Sequence, residues 1–362
     1  MSWHRGDWWF EMSNQYVLIT GGAGFIGTNV ARSYLKDNQA VHIFDNLSRA
    51  GTERNIAELL EAYPGRVRFT QADTRDRKKV EEAVASATAV YHLAAQVAVT
   101  TSLEDPLSDF QTNLAGTLYL LEAIRKSSSR PTLLFTSTNK VYGRLGDIQL
   151  NEHSSHYEPQ DSILAQSGIG ENQPLEFLSP YGCSKGSADQ YVLDYAHSFG
   201  IRATVFRMSC IYGLYQLGSE DQGWVAHFVR QAMKGEAITI YGDGKQVRDL
   251  LFAGDLVCAM RLAQENMDAC SGTAFNLGGG PENSTSLLEL ITQLRSLLGG
   301  PVTIERGPER LADQRWYVAD TSKIRKTLGW TPTTTIRQGL KALYRWYLEH
   351  PSLIEHAEAQ VA

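Results

Sequence analysis

Short apolar runs alternate along this chain with longer amphipathic stretches. The first run, "QYVLIT" from Gln15 to Thr20, is rich in β-branched residues and stops at a cluster of glycines. Behind it, apolar residues recur at helical spacing up to Lys36, which predicts strand, tight turn and helix in succession. The alternation continues. "AVHIFDNLSR" predicts a second strand ending at Asp45, "VRFTQAD" a third ending at Asp73, and "AVYHLAAQV" a buried fourth. "TLLFTSTNKVYG" and "ATVFRMSCIYG" predict two more. Continuous apolar strands separated by amphipathic helices predict a parallel sheet covered on both faces. From about Cys210 the order loosens. "AITIYGDGKQVRDLLFAGDLVCAM" reads as a hairpin-like pair of strands around Gly242–Gly244, followed by a helix.

The glycines after the first strand are Gly21, Gly24 and Gly27, spaced GxxGxxG. At a strand-to-helix turn, such glycines permit a sharp bend, a close approach of backbone N–H groups to a pyrophosphate, and tight packing of helix on strand. Asp45, at the end of the second strand, is placed to accept hydrogen bonds from an adenosine ribose and to repel a 2′-phosphate, which favours NAD over NADP. Arg49 follows in the same loop. Asp73 can meet an adenine amine, and the small residues Ala94 and Ala95 leave room for a coenzyme at the carboxyl edge of the sheet.

"SPYGCSKGSADQY" places Tyr181 and Lys185 four residues apart, on one face of a predicted helix. A free phenol and a free lysine titrate near ~10 and ~10.4, so neither is a base at neutral pH. A protonated Lys185 together with a positively charged nicotinamide would favour phenolate at Tyr181, bringing its pKa toward neutrality. The pair would then remove a hydroxyl proton while a hydride leaves the same carbon.

Composition narrows the field. The chain has 362 residues, 43% hydrophobic and 20% charged, as expected for one large or two unequal globular domains. A net charge of -6 gives no basic footprint for nucleic acid or an anionic membrane. Cys183, Cys210, Cys258 and Cys270 form no CxxC pair and no metal-type cluster, which points to no metal and to a reducing, cytoplasmic setting. No apolar stretch is long enough to span a bilayer. The first residues, with Trp3, Trp8 and Trp9, read as a tail or a docking segment.

GGAGFIG, HLAAQ, STNKVYG, YGCSK and GDGKQVRD, in that order, resemble the extended short-chain dehydrogenase/reductase family, whose members act on nucleotide-activated sugars. The resemblance covers Gln15 to about Leu348. It implies a Rossmann doubly wound parallel α/β sheet with a smaller, interleaved C-terminal substrate-binding domain. The expected division is a tail at 1–14, a mainly NAD-binding domain at 15–209, a mainly sugar-nucleotide-binding domain at 210–350 with segments returning to the first, and a tail at 351–362. Thr138 matches the family's third catalytic residue, a hydroxyl that would hold the reacting sugar oxygen. Phe25, Ile26, Asn46, Ser48, Arg49, Leu93, Gln96 and Thr136 would join the residues named above beside NAD. Thr101, Asn139, Lys140, Arg207, Ser209, Gln222, Trp224 and Tyr241 would border the sugar nucleotide. Arg248 and Arg315 are the cations expected on its diphosphate, because a planar fork matches phosphate oxygens.

The dehydratases of this family carry Asp-Glu directly after that Thr; here Asn139 and Lys140 stand there, so oxidation and reduction without elimination is expected. Longer stretches, among them "DQGWV" and "DQRWYVAD", resemble the branch that epimerises CDP-activated sugars at C2. Cys210 replaces an Asn common among relatives, so the usual amide contact to the diphosphate is absent or rebuilt. A C4 epimerase of UDP-hexoses, another sugar-nucleotide oxidoreductase or decarboxylase, and a non-catalytic NAD sensor stay open. Family members pair through two helices per subunit, so a homodimer or homotetramer is expected.

Overall fold

The computed structural model describes residues 15–355 except 221, 311 and 312; the expectations for 1–14 and 356–362 lie outside the described residues. β1 (Tyr16–Thr20), β2 (Val41–Asp45), β3 (Val67–Gln71), β4 (Ala87–His92) and β5 (Thr132–Thr138) share one seven-stranded sheet with the strands Ala203–Met208 and Thr273–Leu277. The spatial order is Thr273–Leu277, Ala203–Met208, β5, β4, β1, β2, β3, with every pairing parallel. Ile19 lies opposite Ile43 on one side and Tyr91 on the other. Both faces are covered, so β2 and β5 are buried along their whole length. One core holds Ile19, Val30, Ile43 and Leu256; the other holds Leu18, Phe44, Leu120, Leu133 and Val192. This is the doubly wound Rossmann arrangement, and the strand order reverses between β1 and β4.

A third core gathers the helices Trp224–Lys234, Leu287–Leu298 and Ile336–Glu349 around Ile238, Ile240 and Leu250. Capping boxes start two of these helices, Ser286 with Glu289 and Thr335 with Gln338. The strands flanking Gly242–Gly244 are not a hairpin. Ile238–Tyr241 pairs in parallel with Ile304–Gly307, whereas Val247–Phe252 pairs with Ser284–Ser286, Trp316–Tyr317 and Cys210–Tyr212. Gly242 and Gly244 both sit at φ 77°, and the two left-handed turns lead the chain away from the first strand's edge. β3 ends two residues before Asp73, whose carboxylate accepts from the Arg75 backbone N–H and closes a turn. Residues 351–355, expected to open a tail, contain a short helix Ser352–Glu355. Its Leu353 and Ile354 pack on the third core, and Arg54 Nη1 donates to Ser352 Oγ at 3.0 Å.

Candidate active site

The reversal of strand order leaves a crevice above the carboxyl ends of β1 and β4, and two loops line it. The glycine loop leads into the helix Phe25–Lys36, whose N-cap Gly24 offers no side-chain cap and whose first turn holds no acid. The N–H groups of that turn therefore face outward as an anion site. Gly21 is left-handed, at φ 68°, and a Cβ there would lie 2.6 Å from Ala94 N on the facing loop. Glycine is thus required where the two loops touch. Phe25 and Ile26 open the helix half-buried; Leu93, Ala94 and Ala95 are half-buried across the crevice.

The acids at the strand ends are already engaged. Asp45 accepts from Ala23 N at 3.0 Å and Leu47 N at 2.9 Å, so it braces the glycine loop from below. Burial raises its pKa, and those two N–H groups together with Arg49 oppose the rise. Asn46 Nδ2 donates to Asp73 at 2.8 Å; Arg75 forks onto the same carboxylate and holds it down near a pKa of about 2. Asn46 Oδ1 accepts from Ser48 N at 3.0 Å, which shapes the turn beneath Arg49.

The helix Ser179–Phe199 brings Tyr181 and Lys185 against the end of β5. Pro180 fits its first turn, Ser179 Oγ accepts from Gly182 N at 3.3 Å, and Gly200 ends it in the left-handed region. Thr138, the last residue of β5, lies near enough to the Tyr181 hydroxyl to favour its ionised form. Lys185 Nζ lies 4.2 Å from the centroid of Phe135 on the same strand. The structure therefore brings Thr138, Tyr181 and Lys185 together.

The electrostatics depart from the sequence expectation. With the protein's own groups alone, burial outweighs every attraction. Tyr181 is pushed up to about 12, chiefly by desolvation, with the Thr138 hydroxyl and the Arg49 charge pulling down and Asp109 pushing up. Lys185 is lowered to about 7, again by desolvation, with Asp189 and Asp109 restoring part of the loss. A neutral phenol beside a half-protonated amine is not yet a base; a further positive charge over the ring is what shifts the balance toward phenolate.

Several residues expected to touch a ligand hold internal partners. Arg207 is buried in the interior: Nε and Nη2 fork onto Asp189 at 2.8 and 2.9 Å, and Nη1 reaches Tyr142 Oη at 3.2 Å. Ser209 Oγ donates to Asp249, a buried carboxyl raised to about 6 by desolvation. Thr136 donates to the His92 carbonyl at 3.2 Å inside the sheet. Gln96 turns its amide inward, Nε2 donating to Asp109 at 2.8 Å. Asn139 is spent at both ends, accepting from Thr138 Oγ1 at 3.3 Å and donating to Gln314 Oε1 at 3.1 Å. In each case the fold supplies an internal partner that local sequence does not show.

The substrate side is built from the second half of the chain. Asp313 receives Arg248 Nη2 at 2.7 Å and Lys140 Nζ at 3.4 Å, so two cations share one carboxylate. Trp224 Nε1 points at Cys210 Sγ, 3.5 Å away, and the charges of Arg248 and Lys140 both act on that thiol. Arg315 sits 5.5 Å from the Tyr157 ring centroid, and Tyr241 donates to Glu220 at 2.5 Å. A cavity of about 110 Å³ between Tyr157, Tyr241, Gln246, Asp313 and Arg315 opens here. Gln222 closes a turn on Ser219 before the Trp224 helix, and Thr101 is exposed on the helix Val99–Glu104.

Sequence reasoning missed a polar cluster under the catalytic helix: Asp109, Asn113 and Ser184, all buried. It also missed His92, held between Thr20 Oγ1 at 2.7 Å and Thr117 Oγ1 at 3.0 Å and kept neutral, its pKa lowered to about 3 by burial and Lys185. The one local signal was a polar Asp and Asn set between apolar residues in "SDFQTNLAG".

Fold and crevice define a dinucleotide-binding enzyme of the Rossmann class with a Thr–Tyr–Lys face. Residues 18–343 match the family described as GDP-mannose 4,6 dehydratase, and the chain belongs to that family of nucleotide-sugar epimerases and dehydratases. It is 41% identical to the CDP-paratose 2-epimerase of Salmonella typhi over 337 residues, 91% of this chain and 98% of that one. It is 31% identical to a putative UDP-glucose 4-epimerase of Methanocaldococcus jannaschii, over 91% of this chain and 97% of that one. The structure of dTDP-glucose 4,6-dehydratase from Streptomyces venezuelae, with NAD bound, superposes with a TM-score of 0.81 at 27% identity, covering 95% of this chain and 100% of that one.

Proposed function

We propose that this chain is an NAD-dependent epimerase of a nucleotide-activated sugar, converting CDP-paratose to CDP-tyvelose through transient oxidation at C2. The observation that carries the reading is Tyr181 and Lys185, both buried on one helix, set against Thr138 at the carboxyl end of a strand facing an uncapped glycine-loop helix. The crevice fits NAD: the glycine loop leaves N–H groups for a pyrophosphate, and Asp45 ends β2 where a ribose would lie. Bound there, NAD+ would supply a reversible hydride acceptor and, through its positive ring, a charge that favours phenolate.

Tyr181 takes the proton of the sugar C2 hydroxyl as the C2 hydride leaves, and Thr138 holds the forming ketone oxygen. Lys185 stabilises the phenolate. The keto sugar turns about its bonds to the diphosphate, which Arg248, Lys140 and Arg315 retain. With the opposite face of C2 presented, Tyr181 would give the proton back to the ketone oxygen. Asn139 and Lys140 stand where a dehydratase needs an acid and a base; an amide tied to Gln314 and an ammonium paired with Asp313 supply neither. Oxidation at C2 itself suits a 3-deoxy sugar, because a ketone at C4 acidifies C3 and C5 but not C2. The overall identity to a CDP-paratose 2-epimerase supports this sugar over a UDP-hexose. The test is to supply CDP-paratose and UDP-glucose separately to the purified protein with NAD+. Conversion of the CDP-sugar without net NADH supports the reading. Conversion of UDP-glucose alone, or net NADH release, overturns it.

A further inference from the structure

Asp109 belongs to none of the roles above, yet its side chain is 0% exposed and lies under the catalytic helix. It sits in the short helix Pro106–Phe110 and collects three donors from three places. Gln96 Nε2 reaches it at 2.8 Å from the loop after β4, and Asn113 Nδ2 at 3.1 Å from the turn that follows. Ser184 Oγ donates to its other oxygen from the catalytic helix, next to Lys185. Gln96 N in turn donates to Asn113 Oδ1 at 2.9 Å, which locks the loop facing the glycine turn. One carboxylate thus ties the coenzyme-facing loop to the helix carrying Tyr181 and Lys185.

We propose that Asp109 is a positioning residue that fixes the charge balance of the catalytic pair, its buried negative charge sustaining the Lys185 ammonium and restraining the Tyr181 phenolate. This rests on the reading of Tyr181 and Lys185 as the reacting pair. The restraint suits a reversible enzyme: Tyr181 must accept a proton and then give the same proton back, so a phenol that ionised too readily would fail in the second half-reaction. The groups facing the pair are few. Asp189 lies one turn from Lys185 and raises it more than Asp109 does, but it also carries the fork of Arg207 and does not act on Tyr181. His92 on β4 is neutral, β5 presents the Phe135 ring and the Thr138 hydroxyl, and Arg49 acts on Tyr181 from the loop after β2. Among the described residues Asp109 is the acid that acts on both members of the pair; burial raises its own pKa, and the Ser184 and Gln96 donors and the Lys185 charge oppose that rise. The directions agree: Asp109 raises both Tyr181 and Lys185.

Asp109→Asn separates charge from shape. The amide oxygen still accepts from Gln96 and Asn113, and its NH2 can donate to Ser184 Oγ. That hydroxyl has a second acceptor ready, the Tyr181 carbonyl at 3.2 Å. Losing the negative charge lowers both pKa values. Both limbs of the pH profile of kcat/KM then move to lower pH, by at least about half a unit. A second readout needs no turnover. In coenzyme-free protein labelled with 13Cε-lysine, with Lys185 assigned from Lys185→Arg, its midpoint falls by a similar amount in D109N. In Ser184→Ala, which keeps the carboxylate, it does not fall. Should D109N fail to fold, Asp109→Ser carries the same readouts. A lower kcat with both limbs in place, or an unmoved Lys185 midpoint, overturns the proposal. The lysine titration is independent of substrate, so absent epimerisation in the wild type would count against the function and not against Asp109.

Discussion

Tyr181 and Lys185 are individually unsuited to their work. Burial drives the phenol up to about 12 and the amine down to about 7. A site held in this state is poised: one added positive charge favours the phenolate, which gives chemistry only after the coenzyme is seated. Tyr181→Phe is expected to cut turnover by about 10²–10⁴-fold while NAD+ binding persists, checked by steady-state assay and calorimetry. Lys185 also makes stability depend on pH. Its pKa in the folded chain, about 7, lies below its unfolded value of 10.5. The unfolded chain therefore binds more protons between these values, and stability rises with pH across that window. Lys185→Met removes this dependence: it stabilises the coenzyme-free protein most below about pH 7, and the gain shrinks toward pH 10. Denaturant melts at several pH values check it. The YxxxK spacing made the pair legible in the sequence. Asp109 was not, because only the folded chain encloses that side chain and gives it three donors.

At the scale of elements, the parallel sheet was readable because its strands are short apolar runs and its turns carry glycines that steric contact requires. Gly21 against Ala94 is the clearest case. The second half was less readable. Apolar alternation predicted the strands on either side of Gly242–Gly244 but not their partners, which lie elsewhere in the chain. Arg207 is a related case. An arginine at the end of a strand near a phosphate site resembles a ligand, yet its acid partner Asp189 is fully buried on the catalytic helix. Arg207→Met leaves that carboxylate without its partner and is expected to cost about 3–5 kcal/mol of stability, measured by urea unfolding. Loss of affinity for a CDP-sugar at unchanged stability would instead return Arg207 to the binding site.

For the whole molecule, the helices flanking the active site present an apolar surface. Leu103, Leu107, Phe110, Tyr191 and Phe199 are exposed on or beside the helices that pack against the catalytic helix and on that helix itself. A homodimer of the kind expected from the sequence would pair through this face and brace the helix bearing Tyr181 and Lys185. Leu107→Asp is expected to yield monomers in analytical ultracentrifugation with the fold retained; an unchanged assembly would place the interface elsewhere. Among the described residues, no helix is long and apolar enough to cross a membrane.

In the proposed reaction one carbon loses and regains a single hydride inside the protein. The direct measurement supplies CDP-paratose carrying deuterium at C2 and follows the product by NMR and mass spectrometry. Return of the same hydride gives CDP-tyvelose with the deuterium kept at C2 and no label lost to water. Product bearing solvent hydrogen at C2 would mean deprotonation chemistry and would contradict it.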